Sequence, residues 1–332
     1  MNCVNKKTYK LVSLGRKYDL KISKKDMLQS FKILSSNSKY KLNDINNLNG
    51  NYEKGMLPIM LKICYYTNYI NKRQYLNTDI LYSDNDLLVF KLNKYIVISF
   101  KMSQDINDWY NNLSLTRIKI YLKSNIFNEY NKWKKKCLDY TTFDDFKVHT
   151  GFYLFLKQHN YIEKIKTCIE NSGIKNPFII YTGQSRGGAL ATLSSLLIYN
   201  TFPNLKFSII TFASPPLFNK NSTMFYLFLK QKKILINHYR VINSDDILTK
   251  LKTTDYIWKP VGSLRHLGSY IPSKFVKHVY DNRNTIKSGF IVIDNKHRFK
   301  NMFEKCSFIN RRKFVHLYFL FSNKKNAVLF IT

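Results

Sequence analysis

The sequence predicts an α/β fold, a central and mostly parallel sheet flanked by helices, with a short helical lid and a polar N-terminal extension. Two observations carry this. Residues 177–182, 189–199 and 207–212 read as strand, helix and strand, and a unit of that length implies a right-handed parallel crossover. The chain also has enough material for a sizeable core: 332 residues, 45% hydrophobic and 15% aromatic, which excludes a disordered protein.

Each element follows from local pattern. Residues 1–52 are polar, rich in Lys, Asn and Ser, and read as short helices and loops, so the extension is placed at 1–55 and the main domain at 56–332. Residues 57–70 (LPIMLKICYYTNYI) are strongly apolar and stop at Asn71-Lys72, as a buried helix would. Leu87–Leu92 and Tyr95–Phe100 are apolar, β-branched runs separated by a short polar break, the pattern of a hairpin. Within 104–115, Ile106, Trp109, Tyr110 and Leu113 fall at i, i+3, i+4 and i+7, the stripe of an amphipathic helix. Residues 151–171 read as one longer helix with Phe152, Phe155, Leu156, Ile162, Ile165 and Cys168 on its apolar face. Further strands are expected at 234–242 and 289–293, and no repeat or low-complexity linker calls for another domain.

The formal net charge is +33, from 54 Lys and Arg against 21 Asp and Glu. Such an excess suits nucleic acid or an anionic membrane. The same Lys- and Asn-rich, Ala- and Gly-poor composition is also what an AT-rich genome writes. The basic residues are scattered, with no concentrated arm and no nucleic-acid-binding signature, so specific nucleic-acid binding is not expected. Weak attraction to anionic lipid is. The five cysteines (Cys3, Cys64, Cys137, Cys168, Cys306) are widely spaced and form no C-x-x-C pair, so neither a disulfide framework nor a zinc site is expected. No apolar leader or spanning run is evident, which suits a cytoplasmic or membrane-peripheral protein.

The chemistry concentrates at Gly183-Gln184-Ser185-Arg186-Gly187, a G-x-S-x-G run between the expected strand and helix. A serine exposed on so sharp a turn needs very small residues two positions away on either side, where strand and helix approach. The helix N-terminus then places backbone N–H groups and a positive partial charge beneath the attacking oxygen.

In this context the sequence resembles the class 3 lipases, the fungal triacylglycerol lipase and plant phospholipase A1-like branch of the α/β hydrolases, over roughly 57–321. The run 182–191 (TGQSRGGALA) is similar to the family's T-G-H-S-L-G-G-A-L-A, and 148–152 (VHTGF) to V-H-x-G-F. Downstream, 211–215 (TFASP) is similar to T-F-G-x-P, and 239–246 (YRVINSDD) to Y-R-V-V-N-x-x-D. The resemblance implies a serine ester hydrolase of lipids, with no metal or cofactor and a lipid ester at a membrane or droplet surface as its partner. A phospholipase A1-type activity on anionic lipids, or a non-catalytic lipid-binding relative, stands as the alternative.

By the resemblance Ser185 is the nucleophile and Asp246 the acid; from the residues alone Asp245 serves as well, since both follow a strand and the serine. Chain order leaves His266, His278, His297 and His316 for the base. The context Val315-His316-Leu317-Tyr318-Phe319 is similar to the fungal enzymes' D-H-L-x-Y-F and favours His316, with His266 next. The family's oxyanion donors fall on the N–H of Arg186 and on Ser103, in the register Phe100-Lys101-Met102-Ser103; Ser103 also suits an N-cap for the helix that follows. That helix becomes the lid, with Ile106, Trp109, Tyr110 and Leu113 covering the cleft or packing on the core. Lys101, Met102, Gln184 and Arg186 depart from the family's Arg, Gly, His and Leu. The cation at 186 then either favours an anionic head group or obstructs an acyl chain.

Overall fold

In the computed structural model, residues 22–36, 56–69, 76, 78–103, 116–138, 145–215, 217–241, 290–293 and 327–330 are described. In chain order the elements are α1 (Lys24–Ser35), α2 (Met56–Asn68), β1 (Asp79–Ser83), β2 (Leu87–Leu92), β3 (Tyr95–Phe100), β4 (Arg117–Lys119) and α3 (Ser124–Leu138). Then come β5 (Lys147–His149), α4 (Thr150–Gln158), α5 (Tyr161–Glu170), β6 (Phe178–Gln184), α6 (Arg186–Thr201), β7 (Phe207–Phe212), α7 (Lys220–Gln231) and β8 (Leu235–Val241). Finally β9 (Phe290–Ile293) pairs antiparallel with β10 (Ala327–Phe330), and β4 pairs likewise with β5.

The central sheet has six strands in the order β1-β2-β3-β6-β7-β8. β1, β2 and β3 are joined antiparallel, and β3, β6, β7 and β8 run parallel. This is the α/β-hydrolase architecture that the sequence predicts. β3 (YIVISF) and β7 (FSIITF) are buried at every position, as parallel strands covered on both faces must be.

Alternation along the strands sorts the core into two layers. Ile96, Ile98, Phe100, Ile179, Tyr181 and Ile209 join the layer under α3 to α7. Tyr95, Val97, Ile180, Ile210, Phe212 and Val241 face Met27, Phe31 and Leu34 of α1 and Met60, Ile63 and Cys64 of α2. α6 lies along β6, β7 and β3 and is buried on nearly its whole circumference, which is why its sequence shows no polar face.

The described elements differ from expectation in a few places. The expected helix 151–171 is two helices, broken where Asn160 adopts a left-handed conformation (φ 55°), a state that Asn tolerates better than most residues. The strand before the serine extends to Gln184 and α6 begins at Arg186, so the turn is one residue long rather than six. α1 falls in the extension read as short helices and loops, while helices α3 and α7 and strands β1, β4, β5 and β10 are additional to the expected set. α1 starts with the Ser23 hydroxyl accepting the Asp26 N–H at 3.1 Å, and α7 with the Asn219 carboxamide accepting the Ser222 N–H at 3.0 Å.

Candidate active site

Ser185 is the hinge between β6 and α6. Its backbone sits at φ 54°, ψ −124°, a conformation rarely held by a residue with a side chain. The turn is fixed from both sides. The Ser185 N–H donates to Phe212 C=O of β7 at 2.9 Å, and the Ser185 C=O accepts from the Gly188 N–H at 2.9 Å. A Cβ on Gly183 would collide with the carbonyl of Gly187, and one on Gly187 with the carbonyl of Phe100. Both positions therefore require glycine for close approach, as the motif implies. Ser185 is 4% exposed.

Beside this turn runs the segment 101–103. Phe100 ends β3 in register with Gly183 of β6, so the residues after Phe100 leave the sheet next to the serine. Two successive N–H groups of the segment are held by different parts of the chain. Lys101 donates to the Asp86 carbonyl at 2.8 Å, and Met102 donates to the Asn68 carboxamide at 3.0 Å. Asn68 ends α2, and its own N–H₂ donates to the Cys64 carbonyl at 2.7 Å. Ser103 is buried.

The Arg186 side chain turns away from solvent: it is 2% exposed, donates to the Asp86 carboxylate at 2.6 Å and lies 4.6 Å from the Phe155 ring centre. Asp86 belongs to the turn between β1 and β2. The Asp84 carboxylate organises that turn by accepting the N–H groups of Asp86 and Leu87 at 2.9 and 2.8 Å and the Tyr82 hydroxyl at 2.7 Å. Burial opposes ionisation of Asp84, but the Tyr82 and backbone hydrogen bonds and Lys164 outweigh it and hold the carboxyl below its usual range.

Beneath the serine, on the α2 side of the sheet, Cys64 Sγ lies 3.3 Å from Thr182 Oγ1, and Thr67 donates to Ser99 at 2.6 Å. Burial pushes the Cys64 thiol up to about 12, which makes it inert. Gln184 is fully buried, and its carboxamide has no hydrogen-bond partner among the described residues. His149 is buried, stacks on Phe152 at 4.3 Å and bonds through its backbone to Leu217.

The structure thus brings together Ser185, Arg186 and the segment bearing Ser103. Asp246, His316, His266 and the lid residues Ile106, Trp109, Tyr110 and Leu113 lie outside the described residues, as do His278 and His297. Asn68 and Asp86 went unmarked in the sequence reading; neither belongs to a recognisable motif, and only the strand register brings them to the site.

The class 3 lipase family model matches residues 97–256, a span that contains Ser185, Arg186 and the segment bearing Ser103. Over that span, just under half of the chain, the sequence is similar to the class 3 lipases. Among solved structures, the chain is similar to a fungal lipase in an inhibitor complex, at 16% identity and a TM-score of 0.45, over 65% of this chain and 88% of that one. It is similar to the Rhizomucor miehei triacylglyceride lipase at 20% identity and a TM-score of 0.41, over 59% of this chain and 69% of that one. For the Penicillium expansum triacylglycerol lipase the values are 18% and 0.40, over 53% and 62%. No curated protein matches the chain. Among the described residues, no helix is long and apolar enough to cross a membrane.

Proposed function

We propose that this lipase hydrolyses carboxylic esters of neutral lipid, triacylglycerol in the first instance, through an acyl-enzyme on Ser185. The observation that carries the reading is the backbone of Ser185, held at positive φ between a buried strand and a helix N-terminus while glycines clear the space around it. His316 takes the Ser185 proton as the hydroxyl oxygen attacks the ester carbonyl, and Asp246 accepts the His316 Nδ1–H and stabilises the imidazolium. The Arg186 N–H and Ser103 hold the oxyanion. His316 returns the proton to the departing alcohol, and water, deprotonated by the same base, releases the fatty acid.

β8 runs parallel to β7 and ends at Val241, paired with Phe212, whose carbonyl binds the Ser185 N–H, so β8 ends on the Ser185 side of the sheet. That supports Asp246 as the acid. The burial of Arg186 against Asp86 withdraws that cation from an anionic head group, which favours neutral lipid over phospholipid. Ile106, Trp109, Tyr110 and Leu113 are proposed as the lid over the acyl site, and the excess of Lys as a weak attraction toward anionic lipid surfaces. A membrane-peripheral placement goes with both.

Labelling by a fluorophosphonate tests the nucleophile: the wild type reacts and Ser185→Ala does not. Folded wild type that fails to react identifies a non-catalytic relative. Hydrolysis of matched emulsions of triacylglycerol and anionic phospholipid then separates lipase from phospholipase. Comparing His316→Ala with His266→Ala identifies the base, with turnover lost in the first and kept in the second.

A further inference from the structure

The two proposed oxyanion donors lie on separate segments, and one residue touches both. Asp86 accepts the Arg186 guanidinium through its carboxylate and the Lys101 N–H through its backbone carbonyl, at 2.6 and 2.8 Å. Arg186 carries the first donor on its own backbone; Lys101 stands two residues before Ser103, the second. Asp86 has little freedom to move, because the Asp84 carboxylate holds its N–H at 2.9 Å and Leu87 begins β2 in register with Phe100. Arg186 has little freedom either, with its guanidinium 4.6 Å from the Phe155 ring centre and its side chain 2% exposed.

We infer that the Arg186–Asp86 ion pair is a positioning device that fixes the spacing of the two halves of the oxyanion hole. The inference rests on the hydrolase reading for its catalytic meaning and on geometry alone for the clamp. The family residue at position 186 is leucine, which cannot make this contact, so the device belongs to this chain. A bonded guanidinium–carboxylate pair is directional and strong, and here its cation is buried, so losing the carboxylate strands the guanidinium. The Arg186 side chain is 2% exposed, so the pair acts through the backbone it holds. Its effect is therefore expected in kcat, through where the donors stand when charge develops, with KM little changed.

Hydrogen exchange at the backbone of 100–103, and turnover of p-nitrophenyl butyrate per titrated active site, test the clamp in the full chain. In Arg186→Leu and Asp86→Asn, exchange at Lys101 is expected to accelerate about tenfold or more. In the same variants kcat is expected to fall about 10- to 100-fold with KM within about twofold. Arg186→Lys, which keeps a cation, is expected to recover much of both. Unchanged exchange at Lys101 in both cut variants overturns the inference, whatever the activity. Faster exchange with unchanged kcat per active site also overturns it, because the pair is then only structural. A wild type that exchanges as expected but turns over nothing refutes the hydrolase reading and leaves the clamp supported by the exchange data.

Discussion

A methyl group on Gly187 would strike the carbonyl of Phe100, so Gly187→Ala must push α6 and the segment after β3 apart. A displacement of about 1 Å at a catalytic centre costs on the order of 10²-fold, and that loss is expected in kcat for a soluble ester. Ser185 shows the converse. Its positive φ stores strain of roughly 1–3 kcal/mol, which Gly releases and Ala does not. Ser185→Gly is therefore expected to be inactive yet more stable than Ser185→Ala, by about 1 kcal/mol in urea unfolding. His238 fixes a third expectation. Burial first, then Arg240 and Lys230, push its imidazole down to about 3. The folded pKa lies below the unfolded one, so the unfolded chain binds the extra proton and stability falls as pH drops from about 6.5 toward 3. The slope from this residue reaches about 1.4 kcal/mol per pH unit, and His238→Phe should flatten it in urea midpoints measured across that window.

At the scale of elements, α2 does more than cover the sheet. Its last turn carries Thr67 and Asn68, which bond to Ser99 of β3 and to the Met102 N–H, so the helix grips both the strand and the segment leaving it. Asn68→Ala removes a buried acceptor from Met102, and about 1–3 kcal/mol of stability should be lost in thermal unfolding. Aspartate at 68 keeps the acceptor and should recover part of it. The apolar run of α2 was plain in the sequence, as were β2, β3 and β7, whose expected bounds match. Local pattern sufficed because these elements are buried and uninterrupted. α3 and α7 were not legible. The buried residues of α3, such as Tyr130, are interleaved with Lys and Asn, whereas Phe225 and Phe228 of α7 lie in the unbroken apolar run 224–229, which shows no helical period. The break at Asn160 was equally hidden, because a single left-handed residue leaves the apolar spacing on either side intact.

For the molecule as a whole, the G-x-S-x-G turn was readable because its requirements are local: one strained residue, and glycines where backbones meet. The support for the oxyanion segment was not readable, because Asp86 and Asn68 reach it only once the strands are aligned. The charge of +33 acts at this scale too. Binding to anionic vesicles should weaken steeply between about 0.05 and 0.5 M salt, as the Debye length shrinks, while binding to uncharged vesicles should not. Sedimentation of the protein with each kind of vesicle measures the difference. The pairing of β3 with β6 has a consequence in time. Tyr95 meets Phe178 only after the whole stretch between them has closed on itself, and such distant contacts form slowly. The Ser185 turn waits longer still, since its N–H needs the Phe212 carbonyl of β7. A nascent chain that has exposed Ser185 but not yet β7 therefore holds the serine without the turn, and reactivity toward a fluorophosphonate should arise only late in synthesis.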